Sequence, residues 1–219
     1  MRYLDRADAG RQLAALLEKY RADNPLVLGL VRGGLPVAAE VASALGAPLD
    51  ALVVRKVGVP GHSELAMGAV AAGTIWLNEA LITELGIPRD AVDRVVDQET
   101  REVARREALY RPGRPAVAVA GRTVILVDDG LATGASAVAG LRMLRHRGAG
   151  RLIFAAPICS EGGAALVGRE ADHVVCAARP PDFFAVSQAY HAFPQVGDEE
   201  VRHYLEAAPA EAPQPGGIR

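Results

Sequence analysis

Aromatic residues are scarce in this chain: four Phe, five Tyr and one Trp among 219 residues. With much Ala, Gly and Arg beside it, that scarcity fits a GC-rich coding source and carries no function, but it makes any adjacent pair of rings conspicuous. Cysteine is scarcer still. Cys159 and Cys176 are too few for a disulfide framework and have no zinc-site spacing. Both lie in or near apolar, strand-like segments, so two small buried hydrophobes are expected. Charge of one sign is missing too: 24 Lys+Arg against 26 Asp+Glu leave a formal net charge of −2. That balance shows no nucleic-acid or membrane surface. No apolar run is long enough for a bilayer, and no secretory h-region follows Met1-Arg2-Tyr3-Leu4-Asp5-Arg6, so the cytoplasm is the expected compartment. The chain has no Gly-x-Ser-x-Gly elbow, which excludes an α/β hydrolase. No Gly-Lys-Ser/Thr follows a glycine loop, which excludes a nucleoside-triphosphate P-loop. His146, His173, His191 and His203 share no ligand spacing, so none is read as a metal ligand.

What is present is concentrated in one stretch, Val124-Ile125-Leu126-Val127-Asp128-Asp129-Gly130-Leu131-Ala132-Thr133-Gly134-Ala135-Ser136. Four apolar residues read as a strand buried on both faces. Two carboxylates sit at its carboxyl end, where open α/β sheets bind ligands. Thr133 to Ser136 then open a helix, and free backbone N–H groups with hydroxyls at one spot suit a phosphate. The combination points to a sugar phosphate, with hydroxyls or a metal on the acidic side.

Half of the residues are hydrophobic, enough for one sizeable core. The pattern predicts helices over 7–20, 35–45, 88–106, 136–147 and 162–168, and strands over 26–31, 49–54, 123–127, 152–157 and 173–176. A hairpin over 68–77 turns at Ala72-Gly73. The charged helix 88–106 has Val92, Val95, Val96 and Val103 as its inner stripe; it reads as a solvated face or an oligomer contact, which leaves a homodimer open. Strands alternating with helices predict an α/β, doubly wound, mainly parallel sheet. Roughly seventy residues separate the second strand from the one leading to Asp128, more than a crossover needs. The expected organisation is a single domain over 1–206 with a core at about 24–178, a flexible loop at about 57–67, and a small hood from about 1–22 and 179–206. The Ala/Pro/Gly-rich tail 207–219 is expected to be disordered.

The loops after Val31, Val54 and Val127 should gather at one rim of such a sheet. The first is Arg32-Gly33-Gly34, a cation with two glycines that allow close backbone approach. The second begins with Arg55-Lys56. The third holds the acidic pair and the phosphate cradle. A ligand with phosphates at both ends and hydroxyls between them satisfies all three.

Val127 to Ser136 resembles the phosphoribosyl-pyrophosphate (PRPP) motif of type I phosphoribosyltransferases. Arg32-Gly33-Gly34 lies where that family's pyrophosphate loop lies, and Arg55-Lys56-Val57-Gly58-Val59-Pro60-Gly61 resembles the start of its catalytic loop. The Asp128-Asp129-Gly130 form with Arg55-Lys56-Val57-Gly58 most resembles an uncharacterised "predicted phosphoribosyltransferase" branch. The resemblance implies transfer of the 5-phosphoribosyl group from PRPP to a nitrogenous, nucleobase-like acceptor with release of pyrophosphate, a pentosyltransferase reaction of nucleotide and nucleoside metabolism. It implies that Gly130, Ala132, Thr133, Gly134, Ala135 and Ser136 line the 5′-phosphate loop. Asp128 and Asp129 would bind the ribose 2′ and 3′ hydroxyls, directly or through water on Mg2+, and act catalytically with Lys56. Arg32, Gly33, Arg55 and Lys56 would meet the pyrophosphate.

Two departures bear on the acceptor. Where 6-oxopurine members of the family carry an aspartate, this chain has Ala132, which favours an adenine-type acceptor. Gly130 stands where many members have a branched apolar residue. The acceptor wall is expected from the amino-terminal helix and from Pro180 to Tyr190, with Phe183 and Phe184 as a stacking face and Asp182 reading the base edge. His62 and Glu64 in the loop are read as solvated rather than as acid and base. A PRPP-sensing regulator without turnover is the alternative; the retained Arg55, Lys56 and Gly/Pro hinge favour catalysis.

Overall fold

The structure is a computed structural model that describes residues 2–113 and 115–208, apart from the side chains of Ser63 and Glu64. Five strands form one parallel sheet: β1 Leu26–Leu30, β2 Leu49–Leu52, β6 Thr123–Val127, β7 Arg151–Ile158 and β8 His173–Ala178. Their order is β2-β1-β6-β7-β8. Strand β1 pairs with β2 on one side and β6 on the other, with Val27 opposite Leu49 and Ile125. The chain winds outward from β1 in one direction and from β6 in the other, so the crevice between their carboxyl ends is a topological switch point.

Two-residue alternation divides the core into two layers. Val27, Ile125, Val127, Ile153 and Ala155 face α1 (Arg6–Leu17) and α2 (Gly34–Leu45). Leu26, Leu28, Val124, Leu126 and Phe154 face α5 (Ala135–His146) and α6 (Glu161–Val167). Both sheet faces are covered, which is why these strands read as unbroken apolar runs. The expected α/β, doubly wound parallel sheet is thus present.

The long insertion takes a different form from the expected flexible loop. Val54–Val59 (β3) and His62–Ala71 (β4) pair antiparallel and turn at Pro60-Gly61, and Thr74–Leu77 (β5) adds a third strand. Alternating apolar residues explain the ribbon: Val57 and Met67 are fully buried inward-facing positions. Gly61 takes a φ of +79° at the turn, where a side chain would be strained. The second turn, at Ala72-Gly73, lies where the hairpin pattern placed it. Helix α3 (Glu79–Glu84) and the long α4 (Arg89–Tyr110) complete the insertion. A buried ion pair, Arg111 Nε to Asp50 Oδ1 at 2.7 Å, anchors the end of α4 to β2. The carboxyl-terminal helix α7 (Asp198–Ala207) was not visible in the pattern, and most of the expected tail, from residue 209, lies outside the described residues.

The cysteines are not free hydrophobes. Cys159 at the end of β7 and Cys176 in the neighbouring β8 form a disulfide, with Cα atoms 6.0 Å apart. Cys176 pairs with Ala156 in the ladder, and Cys159 follows the last residue of β7, so the bond depends on β7 and β8 being neighbours, which spacing alone does not show. A 17-residue separation makes removal of such a link worth about 3 kcal/mol by loop-closure entropy. Urea melts of the wild type and of Cys159→Ser/Cys176→Ser without reductant should differ by that amount. Equal midpoints, or two reactive thiols in the unreduced, unfolded wild type, would contradict the bond.

Candidate active site at the carboxyl ends of β1 and β6

Strand β6 delivers Asp128 and Asp129 to the switch point, both half-buried. Burial lifts the Asp128 carboxyl well above the usual carboxylate range, and the neighbouring Asp129 charge lifts it further. Burial also raises Asp129, against the opposing pull of Arg6. Each carboxylate has one oxygen engaged. Asp128 Oδ1 accepts the Asp129 N–H at 2.9 Å. Asp129 Oδ2 accepts from Arg6 Nε at 2.8 Å and lies 2.8 Å from Arg6 Nη2. Among the described residues no hydrogen bond engages the other oxygen of either residue, which leaves one acceptor free on each carboxylate.

The loop after β1 packs directly onto this pair. A Cβ on Gly33 would fall 2.1 Å from Asp129 Oδ2, and one on Gly34 would fall 2.5 Å from the Val127 carbonyl. The two glycines therefore admit the carboxylates themselves, a tighter demand than ligand access. Gly130 meets a different neighbour. Its absent side chain leaves room for Val186, whose Cγ1 would lie 2.4 Å from an added Cβ. A branched apolar side chain of the carboxyl-terminal segment thus occupies the space beside Gly130.

Beyond Gly130, the loop is bonded back to β7. Leu131 N–H donates to the Ile158 carbonyl and Ser160 N–H to the Leu131 carbonyl, both at 2.8 Å. Ser160 Oγ donates to the Ala132 carbonyl at 2.5 Å. Gly134 caps α5 with a φ of +79° and no side-chain cap bond. The first N–H groups of α5 are therefore open beside Thr133 and Ser136, both exposed. Ala132 is exposed too and offers a methyl group.

The cations divide. Arg32 Nη1 lies 3.7 Å from Asp198 Oδ1 at the start of α7. Asp198 also accepts from Tyr110 Oη at 2.6 Å, and burial with that bond pushes the Tyr110 hydroxyl up to about 12. Arg55 is tied to the largely buried Glu99 of α4, with Nε 2.6 Å from Oε2. This makes Arg55 a strut between ribbon and helix, and Glu99 a buried partner on a helix expected to be solvated there. Lys56 has no ion pair among the described residues. It sits opposite Ala69 in the ribbon, and Ala69 packs on Ala139 and Met143 of α5.

The expected hood residues lie elsewhere. Phe184 is 81% exposed, Asp182 is exposed, and Phe183 packs with Tyr3, Ile158 and Tyr190. The cleft beside Asp129, about 480 Å³, is instead lined by Arg6, Arg32, Gly33, Val186, Phe193 and the chain just after Phe193. Arg6 stacks 3.8 Å from the Phe193 ring centre, and Tyr190 Oη donates to the Asp129 carbonyl at 2.6 Å. Arg6 and Phe193 were missed in the sequence. Their one signal was membership of the two terminal segments expected to form the hood.

A profile of the phosphoribosyl transferase domain matches residues 2–193. The chain belongs to the phosphoribosyl transferase family. Two Mycobacterium tuberculosis proteins, provisionally named phosphoribosyl transferases, are 44% identical over 215 residues. That match takes in 98% of this chain, and the chain spans 48% of their length. The crystal structure of TT1426 from Thermus thermophilus is 40% identical and superposes with a TM-score of 0.87, covering 94% of this chain and 98% of that one. The five-stranded parallel sheet is the type I phosphoribosyltransferase fold expected from the motif.

Two outcomes follow from the packing and charge of this crevice. Gly130→Ala should cost about 1–3 kcal/mol in urea melts, and Val186→Ala in the same chain should recover most of it; simple additivity would contradict the contact. Asp128 ionises near 3.8 when unfolded and well above that when folded. Above 3.8 the folded state therefore holds the extra proton, and stability falls as pH rises towards the folded value. Asp128→Asn should accordingly be more stable than the wild type at pH 7, with the advantage shrinking as pH falls towards 3.8 and gone below it. A constant or reversed difference across that range would contradict the shift.

Proposed function

We propose that this chain transfers the 5-phosphoribosyl group of PRPP to a nitrogenous acceptor and releases pyrophosphate, with an adenine-type ring preferred over a 6-oxopurine. The observation that carries this reading is the acidic pair with its two free oxygens, set between the uncapped amino terminus of α5 and the Arg32 loop. In this assignment Thr133 to Ser136 and the first N–H groups of α5 hold the 5′-phosphate. The free oxygens of Asp128 and Asp129 accept from the 2′ and 3′ hydroxyls. Arg32, with the Gly33 backbone, meets the pyrophosphate, and Lys56 adds charge from the ribbon.

As the bond to pyrophosphate breaks, positive charge grows on the ribose ring, and two fixed carboxylates stabilise it electrostatically. Among the described residues no cluster of three or more His, Cys, Asp or Glu could hold a metal. Two adjacent carboxylates fit Mg2+ that arrives on the phosphates and keeps its waters, so Asp128 and Asp129 would hold it through those waters. Bound there, Mg2+ would neutralise charge on the leaving pyrophosphate.

The cleft at Arg6 and Phe193 is assigned to the acceptor; its volume falls in the range of small-molecule sites. Ala132 supplies no carboxylate to take a proton from a 6-oxopurine ring, which supports the adenine-type preference. No helix among the described residues is long and apolar enough to cross a membrane.

The test is to incubate the protein with PRPP, Mg2+ and a panel of nucleobases and small nitrogen heterocycles while following pyrophosphate release. Release should depend on an adenine-type acceptor. It should fall by at least about a hundredfold in Asp128→Asn/Asp129→Asn, which keeps its fold. Binding of PRPP with no turnover on any acceptor would replace the transferase by a PRPP sensor. No binding at all would overturn the reading.

A further inference from the structure

Arg6 is one of four charged residues in the described chain that are buried. It opens α1, whose entry is fixed by Asp5 capping the Asp8 N–H at 2.8 Å. Just before it, Tyr3 is fully buried and bonds to the Pro157 carbonyl through its hydroxyl at 2.9 Å. The guanidinium is thus delivered by a rigid segment.

All parts of that guanidinium are in use. Nε and Nη2 both converge on Asp129 Oδ2, Nη1 donates to the Pro194 carbonyl at 2.7 Å, and the plane covers the Phe193 ring at 3.8 Å. Asp129 Oδ2 is closed off from the other side by Gly33. The carboxylate can therefore turn only one oxygen, Oδ1, towards a ligand. The same cation holds Phe193 and Pro194, which wall the cleft.

We propose that Arg6 is a positioning residue that sets the Asp129 carboxylate for the ribose hydroxyls and fixes the acceptor wall against it. The inference rests on the proposed function. One planar fork from the amino-terminal segment joins two distant parts of the site, Asp129 after β6 and the Phe193-Pro194 wall. A point charge cannot do this, because a lysine ammonium lacks the in-plane donors that reach Asp129 and Pro194 together. Arg6 acts through Asp129, with which it makes its ion pair, so its effect should fall on the ribose half of the donor.

The experiment measures binding of three probes by calorimetry: PRPP with Mg2+, ribose 5-phosphate, and inorganic pyrophosphate with Mg2+. Arg6→Gln should weaken ribose 5-phosphate and PRPP about tenfold, the worth of a lost charge-assisted pair. Pyrophosphate should stay within about twofold. In an Asp129→Asn background the further change Arg6→Gln should have almost no effect, because the residue it positions is already lost. Arg6→Lys keeps a cation and should fold if Arg6→Gln does not; it should show the same selective loss. Equal weakening of all three probes, full additivity with Asp129→Asn, or no loss of ribose 5-phosphate would overturn the inference. Wild-type protein that binds none of the three would instead overturn the proposed function beneath it.

Discussion

Two carboxylates held side by side at the end of a buried strand lose hydration and repel each other, and the surrounding structure is arranged around that constraint. Asp128 is relieved by a backbone N–H from its own neighbour. Asp129 is relieved by a cation from the far amino-terminal end of the chain. The rise in both carboxyls shows that relief is incomplete. A pair fully satisfied by the protein would have no oxygen left to accept from a ligand. The site keeps a destabilised group where a ligand can complete its bonding.

The same pair explains why the hood cannot be treated as a separate appendage. Tyr190 donates to the Asp129 carbonyl, Val186 fills the space above Gly130, and Arg6 closes on Asp129 Oδ2. Each contact reaches Asp129 or Gly130 from a terminal segment. Gly130 and Val186 are complementary: a larger residue at one position requires a smaller one at the other. The space that a side chain at Gly130 would need is thus filled by Val186 of the hood.

The central sheet was legible because its strands are buried on both faces and its carboxyl-terminal loops carry their own chemistry. Leu26 to Leu30 and Thr123 to Val127 announce themselves without partners. The ribbon was not legible as such. Gly58, Pro60 and Gly61 look like a loop, and only pairing with β4 turns the surrounding valines into a strand. Helix α7 was missed because its buried positions, Val201 and Leu205, are too few to show a stripe against four acidic neighbours. The disulfide depends on two strands becoming neighbours, and Arg6 and Phe193 depend on two chain ends meeting. No local pattern contains such information. Phe183 and Phe184 drew attention because adjacent rings are rare here, yet one packs inward on Tyr3 and the other faces solvent.

The charges around the crevice settle which cations are free to change partners. Arg55 lies against a largely buried carboxylate at short range, so releasing it would leave Glu99 uncompensated, a large penalty. Arg32 is different: its carboxylate partner is 3.7 Å away, half-exposed, and already satisfied by Tyr110. Exchanging that weak contact for a pyrophosphate oxygen leaves Asp198 with its tyrosine bond intact. Of the paired cations at this crevice, Arg32 is therefore the one that can change partners without unmaking the fold, and Arg55 and Arg6 hold the frame around it.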